Sequence, residues 1–166
     1  MSTPDGERAE ARGMTMMDMT IRPACSEDIP HLCDLLSDLF ARETDFEPDP
    51  SRQTRGLNLI VNDQSGRSLV LVAASRNEII GMCTVQTVVS TAEGGPVGLV
   101  EDVIVRADCR GRGIGARLLT EAIIWSKSRK LSRLQLLADR ENGPALAFYS
   151  TCRWSPTSLI CLRKHL

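Results

Sequence analysis

The chain has 166 residues, which suits one domain built around one core. Hydrophobic residues make up 42 % and charged residues 25 %, and the formal net charge is −1, so a nucleic-acid partner with its basic excess is not expected. No apolar run reaches the roughly 18 residues of a membrane-spanning helix, so no membrane partner is expected either.

Met1–Gly13 is polar and charged and lacks the apolar stretch of a signal peptide. It reads as a leader, or as a start upstream of a true one near Met14, Met16 or Met17. Residues 1–16 are therefore expected to be disordered and residues 17–166 to form a single domain, in the cytoplasm.

Met17–Pro23 alternates weakly and predicts a first strand. Ser26, followed by Glu27 and Asp28, is the expected N-cap of a helix. In that helix Ile29, Leu32, Cys33, Leu36, Leu39 and Phe40 recur at the helical period, and Pro30 falls early enough to be tolerated. Glu47–Pro50 is a break. A second helix is expected over Ser51–Asn62, with Leu57, Ile60 and Val61 inward. Ser68–Ala74 and Ile79–Ser90, joined at Arg76-Asn77-Glu78, read as a hairpin of apolar, β-branched strands. Val97–Arg106 is a fourth strand. A helix begins near Gly113 with its apolar stripe at Ile114, Leu118, Leu119, Ala122 and Ile123. Arg133–Ala138 predicts a fifth strand, Asn142–Cys152 a short helix, and Arg153–Leu162 a last strand or two. Strands and helices mix without strict alternation, so the fold class is α+β with a mixed sheet.

Six cysteines stand at 25, 33, 83, 109, 152 and 161 without CxxC spacing, and the two histidines are far apart. Buried free thiols are expected, with no metal and no disulfide framework.

The segment Arg110-Gly111-Arg112-Gly113-Ile114-Gly115-Ala116 lies between an apolar strand and an amphipathic helix. Alternating glycines let the backbone approach a ligand, and the N–H groups at the helix start favour an anion. Arg110 and Arg112 add charge and paired donors. A diphosphate suits such a loop; the alternative is a plain glycine-rich turn. The spacing is neither GxGxxG nor that of a nucleoside-triphosphate loop.

With its neighbours, this loop resembles the cofactor loop of the GNAT superfamily of N-acetyltransferases, Arg/Gln-x-x-Gly-x-Gly/Ala after a strand. Val100-Glu101-Asp102-Val103-Ile104-Val105 looks like the family's fourth strand. Asn142-Gly-Pro-Ala145-Leu-Ala-Phe148-Tyr149 looks like its Asn-x-x-Ala-x-x-Phe-Tyr helix. The likeness is clearest over residues 68–157. It implies a mostly antiparallel mixed sheet, flanked by helices and splayed between its fourth and fifth strands.

The resemblance implies acetyl-coenzyme A as cosubstrate. Its pantetheine would pair with the backbone of Val103, Ile104 and Val105. Its pyrophosphate would sit on Arg110, Gly111, Arg112, Gly113, Ile114, Gly115 and Ala116, with Asn142 touching the cofactor elsewhere and Tyr149 meeting its sulfur. Tyr149, the only tyrosine, would be the general acid toward the leaving thiolate, its plain alternative being a packing tyrosine. Glu101 and Asp102 are neighbours on a strand and are expected on opposite faces. Glu101 is the favoured general base; the alternative is that either carboxylate only pairs with an arginine. Cys109 lacks a nearby His and is not read as a nucleophile. Where the family ends its helix in Gly-Phe, this chain has Arg153-Trp154, so Arg153 must strain or change the turn.

The expected activity is transfer of an acetyl group to a primary amine of a small molecule (an amine, amino acid or amino sugar) by direct attack in a ternary complex. A protein N-terminal or lysine acetyltransferase and a non-catalytic acyl-coenzyme A-binding module are the alternatives. His31, Phe40, Glu43, Asp45 and Phe46 are expected near the acceptor, where acidic groups suit a cation. A homodimer is common in the resembled family.

Overall fold

The computed structural model describes residues 19–42 and 45–166. The leader expected over 1–16, the first residues of the first strand, and Glu43 lie outside the described residues. The elements are β1 (Met19–Pro23), α1 (Ile29–Phe40), α2 (Pro50–Val61), β2 (Ser68–Ser75), β3 (Glu78–Ser90), β4 (Gly95–Val105), α3 (Ile114–Ser128), β5 (Leu134–Leu136) and α4 (Gly143–Thr151).

One sheet carries the strands in the order β1-β2-β3-β4-β5. The first four pair antiparallel. Arg76 (φ 48°) and Asn77 (φ 68°) make the β2–β3 turn, where two positive φ values match the twist of the strands. β5 runs parallel to β4, which requires a crossover, and α3 supplies it. Their pairing covers only Gly98–Val100 against Leu134–Leu136. Beyond it β4 runs on through Glu101–Val105 with no β5 residue alongside, so the sheet parts there.

Each face of the sheet holds its own core. Leu69, Leu71, Ala73, Cys83, Val85 and Val100 pack with Ile114, Leu118, Leu119 and Ala122 of α3. The alternate residues Val70, Val72, Met82 and Ile104 pack with Leu32, Leu35 and Leu36 of α1 and Leu57 of α2. The two-residue alternation of β2 thus feeds two helical layers.

Two helix starts differ in detail from expectation. Ser26 does not cap α1; its hydroxyl bonds Asn62 Oδ1 at the end of α2 (2.9 Å). The backbone N–H of Cys25 donates instead to Asp28 Oδ2 (2.8 Å), because buried Asp28 is already held by two bonds from the Arg22 guanidinium (2.6 and 2.8 Å). α2 begins at Pro50, capped by Asp49, whose carboxylate accepts from the N–H groups of Ser51 and Arg52.

The C-terminal expectation fails. No strand forms over Arg153–Leu162, and the chain past the turn after α4 is irregular and exposed. β5, expected over Arg133–Ala138, is three residues long, so its outer edge offers little ladder for a further strand. Cys161, expected to be buried, is exposed with this segment, whereas Cys33, Cys83 and Cys109 are buried free thiols. Among the described residues no helix is long and apolar enough to cross a membrane.

Candidate active site

At the centre of β4 the ladder is irregular. Cys83 pairs with Val103 and Val85 with Val100, so Thr84 alone stands opposite both Glu101 and Asp102. This is a β-bulge, two residues against one. It undoes the alternation on which the opposite-face expectation rested. The Thr84 hydroxyl donates to Asp102 Oδ2 (3.3 Å), and Gln86 Nε2 donates to Glu101 Oε2 (3.1 Å). Thr84 and Gln86 follow Met82 at two-residue steps and share its face, the one covered by α1 and α2. Both carboxylates therefore lie on one face, Glu101 exposed and Asp102 half-buried. After the bulge the pattern resumes, with Val103 and Val105 toward the α3 side and Ile104 toward α1.

The glycine-rich loop opens directly from this strand. Arg106 fixes its start, with Nη1 to Glu78 Oε2 (2.8 Å) and Nε to Asp108 Oδ1 (2.7 Å). Those two carboxylates raise the Arg106 pKa and lock it as a cation. A 3-10 turn over Ala107–Cys109 follows. Arg110 Nε then bonds the Val105 carbonyl (2.8 Å), and Arg112 Nη2 the Asp108 carbonyl (3.3 Å). Gly111 and Gly113 take φ of 73° and 75°, the left-handed region that penalises a side chain. Gly113 is the N-cap of α3 and has no side chain to cap with. The N–H groups of Ile114, Gly115 and Ala116 then have no acceptor inside the helix and carry its positive dipole end. A cradle of this kind suits an anion.

Gly115 has a different reason to be glycine. A Cβ there would come within 3.0 Å of the Phe148 ring, so the missing side chain admits α4 against the start of α3. α4 is capped by Asn142, whose Oδ1 accepts from the Ala145 N–H (3.1 Å). Tyr149 is half-buried between Phe148 (ring centroids 5.2 Å) and Trp154 (6.3 Å). It packs on the same α3-side cluster as Val103 and Val105. The helix ends as its turn requires even with Arg153 in the place of a glycine. Arg153 takes φ 64°, and the Trp154 N–H bonds the Tyr149 carbonyl (3.0 Å), closing a Schellman turn. Of the two readings for this position, strain is the one realised.

The structure thus brings Val103, Val105, the loop, the start of α3 and Tyr149 to one side of the sheet, and Glu101 and Asp102 to the other. The parting of β4 from β5 lies between the two sets. Cys109 is buried beneath the loop, and burial raises its pKa, which suits packing and not attack. The expected acceptor residues split. Phe40, the last residue of α1, packs its ring on that of Phe46 (centroids 5.2 Å), and the Arg163 guanidinium lies over Phe46 (4.5 Å) and bonds the Asp45 carbonyl (3.4 Å). His31 lies apart from them, in a 260 Å³ cleft with Asp34, Glu78 and Arg106. Among the described residues no three His, Cys, Asp or Glu side chains gather to hold a metal ion.

Thr84, Gln86 and Arg106 escaped the sequence reading. Thr84 left a trace, a polar residue inside the apolar run Met82–Val85. Gln86 and Arg106 left none, because nothing in the sequence ties either to its carboxylate.

The acetyltransferase (GNAT) family model matches residues 30–152. The fold is similar to that of a transcriptional regulator from Bacillus halodurans, at 27 % identity and TM-score 0.77, covering 89 % of this chain and 99 % of that one. It is also similar to an aminoglycoside acetyltransferase from an uncultured soil metagenomic sample, with 20 % identity, TM-score 0.74 and coverages of 91 % and 98 %. A glucosamine-6-phosphate N-acetyltransferase from Arabidopsis thaliana shares the fold at 20 % identity and TM-score 0.71, with coverages of 88 % and 97 %. No curated protein matches the chain in sequence.

Proposed function

We propose, from the premise that this chain belongs to the acetyltransferase (GNAT) family, that it moves an acetyl group from acetyl-coenzyme A to a primary amine of a small molecule by direct attack in a ternary complex. The observation that carries the reading is the junction of a parted strand with an uncapped helix start. β4 beyond Val100 offers backbone groups with no β5 residue alongside, and Gly113 opens the first turn of α3 with no side chain over it.

In this reading the backbone of Val103, Ile104 and Val105 pairs with the pantetheine amides as a short added strand. The N–H groups of Gly111, Gly113, Ile114, Gly115 and Ala116 hold the pyrophosphate, with Arg110 and Arg112 beside it, and Asn142 borders the arm. A backbone N–H of β4 donates to the thioester oxygen as charge builds there. Glu101 takes a proton from the substrate ammonium on the α1/α2 face, which frees the amine to attack the thioester carbonyl. Tyr149 gives a proton to the departing thiolate on the other side. The parting of the sheet lets donor and acceptor meet from opposite faces.

Small amines are favoured because relatives of this fold are acetyltransferases of an aminoglycoside and of glucosamine 6-phosphate. Residues 17–166 are read as the acetyltransferase domain, working in the cytoplasm and paired as a homodimer. The test is a screen of small amines, amino sugars and peptides with detection of released coenzyme A. Turnover of a small amine above any peptide supports the reading, and turnover of peptides alone overturns the choice of acceptor. Tyr149→Phe should lower kcat about a hundredfold. Unchanged turnover in that variant removes Tyr149 from the acid role.

A further inference from the structure

Thr84 is fully buried, yet it carries a hydroxyl in a strand that otherwise needs none there. That hydroxyl has two bonds, and both go to one residue. It donates to Asp102 Oδ2 (3.3 Å) and accepts the Asp102 backbone N–H (3.1 Å). The N–H lies where the β3–β4 ladder slips out of register, so the side chain of Thr84 takes the place of a ladder carbonyl. The clasp thereby closes the bulge from inside the sheet.

We propose that Thr84 is a positioning residue for acetyl transfer, acting through Asp102. By holding Asp102 at both its backbone and its carboxylate, Thr84 fixes the two-against-one pairing. That pairing turns Glu101 and Asp102 onto the same face, beside the parting of β4 from β5. The inference rests on the reading of that parting as the transfer centre. It adds a residue that touches neither donor nor acceptor, on a strand that the cofactor motifs do not include.

The geometry indicates what loss of the clasp does. Valine matches threonine in shape and offers neither bond. Its methyl would leave the Asp102 N–H without its acceptor in a partly buried stretch, a state that folded chains avoid. The local relief is a slip of the pairing by one residue, which turns one of the two carboxylates to the other face. The loop and the start of α3 lie further along the chain and keep their own anchors at Arg106 and Arg110. The consequence falls on the chemical step and spares donor binding.

The experiment compares wild type, Thr84→Val and Thr84→Ser on the best amine from the screen. Thr84→Val should lose about tenfold or more in kcat, since small misplacements of reacting groups are costly. Its KM for acetyl-coenzyme A should stay within about twofold. Thr84→Ser, which restores the hydroxyl, should recover most of kcat. Independently of turnover, amide hydrogen exchange at Asp102 should run about tenfold faster in Thr84→Val than in wild type or Thr84→Ser. An unchanged kcat in Thr84→Val, or a Thr84→Ser variant as impaired as Thr84→Val, overturns the positioning role. Equal exchange in all three overturns the clasp itself. A wild-type chain that acetylates no amine sinks the transfer reading, and the positioning role with it. Wild-type transfer with an indifferent Thr84→Val sinks the positioning role alone.

Discussion

Arg153 shows how a single residue can carry strain for the sake of a neighbour. Its φ of 64° closes the turn that follows Tyr149 and sets Trp154 against the Tyr149 ring. A non-glycine residue in the left-handed region costs about 1 kcal/mol or more. Arg153→Gly should therefore raise the stability by about 1 kcal/mol in chemical denaturation, less what glycine gives back as entropy in the unfolded chain. A loss of stability would mean that the arginine side chain contributes more than its backbone costs. Cys83 illustrates the opposite case, a residue held inert by its surroundings. Burial first, and then the charge of Asp102, push its thiol up to about 12, so it should resist alkylating reagents in the folded chain at neutral pH. Rapid labelling of Cys83 without unfolding would contradict the packing around β3.

At the scale of the element, α1 and α3 start by different physics. α1 is entered through a carboxylate. The two hydrogen bonds from Arg22 hold Asp28 well below the usual carboxylate range, and the Cys25 N–H adds to them. The folded chain then binds fewer protons at this site than the unfolded one. Its contribution is complete above the ordinary aspartate value of about 4 and is lost as pH falls toward the folded value. Asp28→Asn should lack this acid limb, so its urea midpoint should fall less between about pH 5 and pH 2 than that of wild type. Parallel curves would show that Asp28 is not the group that links this entry to pH. α3 starts through an absence, a glycine N-cap with left-handed backbone and open space around it. Gly113→Ala fits sterically but disfavours that φ and so re-aims the N–H groups behind it. The expected result is a Kd for coenzyme A raised about tenfold, or about 1.4 kcal/mol, by titration calorimetry. An unchanged Kd would remove the pyrophosphate from this loop.

At the scale of the molecule, the sheet separates two helical layers and parts at one place, where β4 outruns β5. In the proposed binding mode a donor touches β4, the loop and α4 together, so it should stabilise the whole domain. At about a hundred times its Kd, acetyl-coenzyme A should add about 2.7 kcal/mol and raise Tm by about 5 to 10 °C. No rise at millimolar concentration would count against the site as described. Leu159, Ile160 and Leu162 past α4 are exposed, outside both cores.

Most elements are written locally. The helical period of α1 and α3, the β-branched runs of β2 and β3, the positive-φ turn at Arg76-Asn77 and the glycines at 111 and 113 all express preferences that a few neighbouring residues decide. The three motifs around Arg110, Glu101 and Tyr149 belong to this local class, and they carry the resemblance to the family without any tertiary contact. What the chain alone does not reveal depends on pairing between distant strands. The bulge that sets Glu101 and Asp102 on one face exists only because β3 meets β4 with Thr84 opposite both. The apolar pattern of Arg153–Leu162 promised strands, but a strand needs a partner edge, and three residues of β5 do not provide one. Local sequence decides conformation one turn at a time; register, and with it the face on which a carboxylate appears, is decided only where two strands meet.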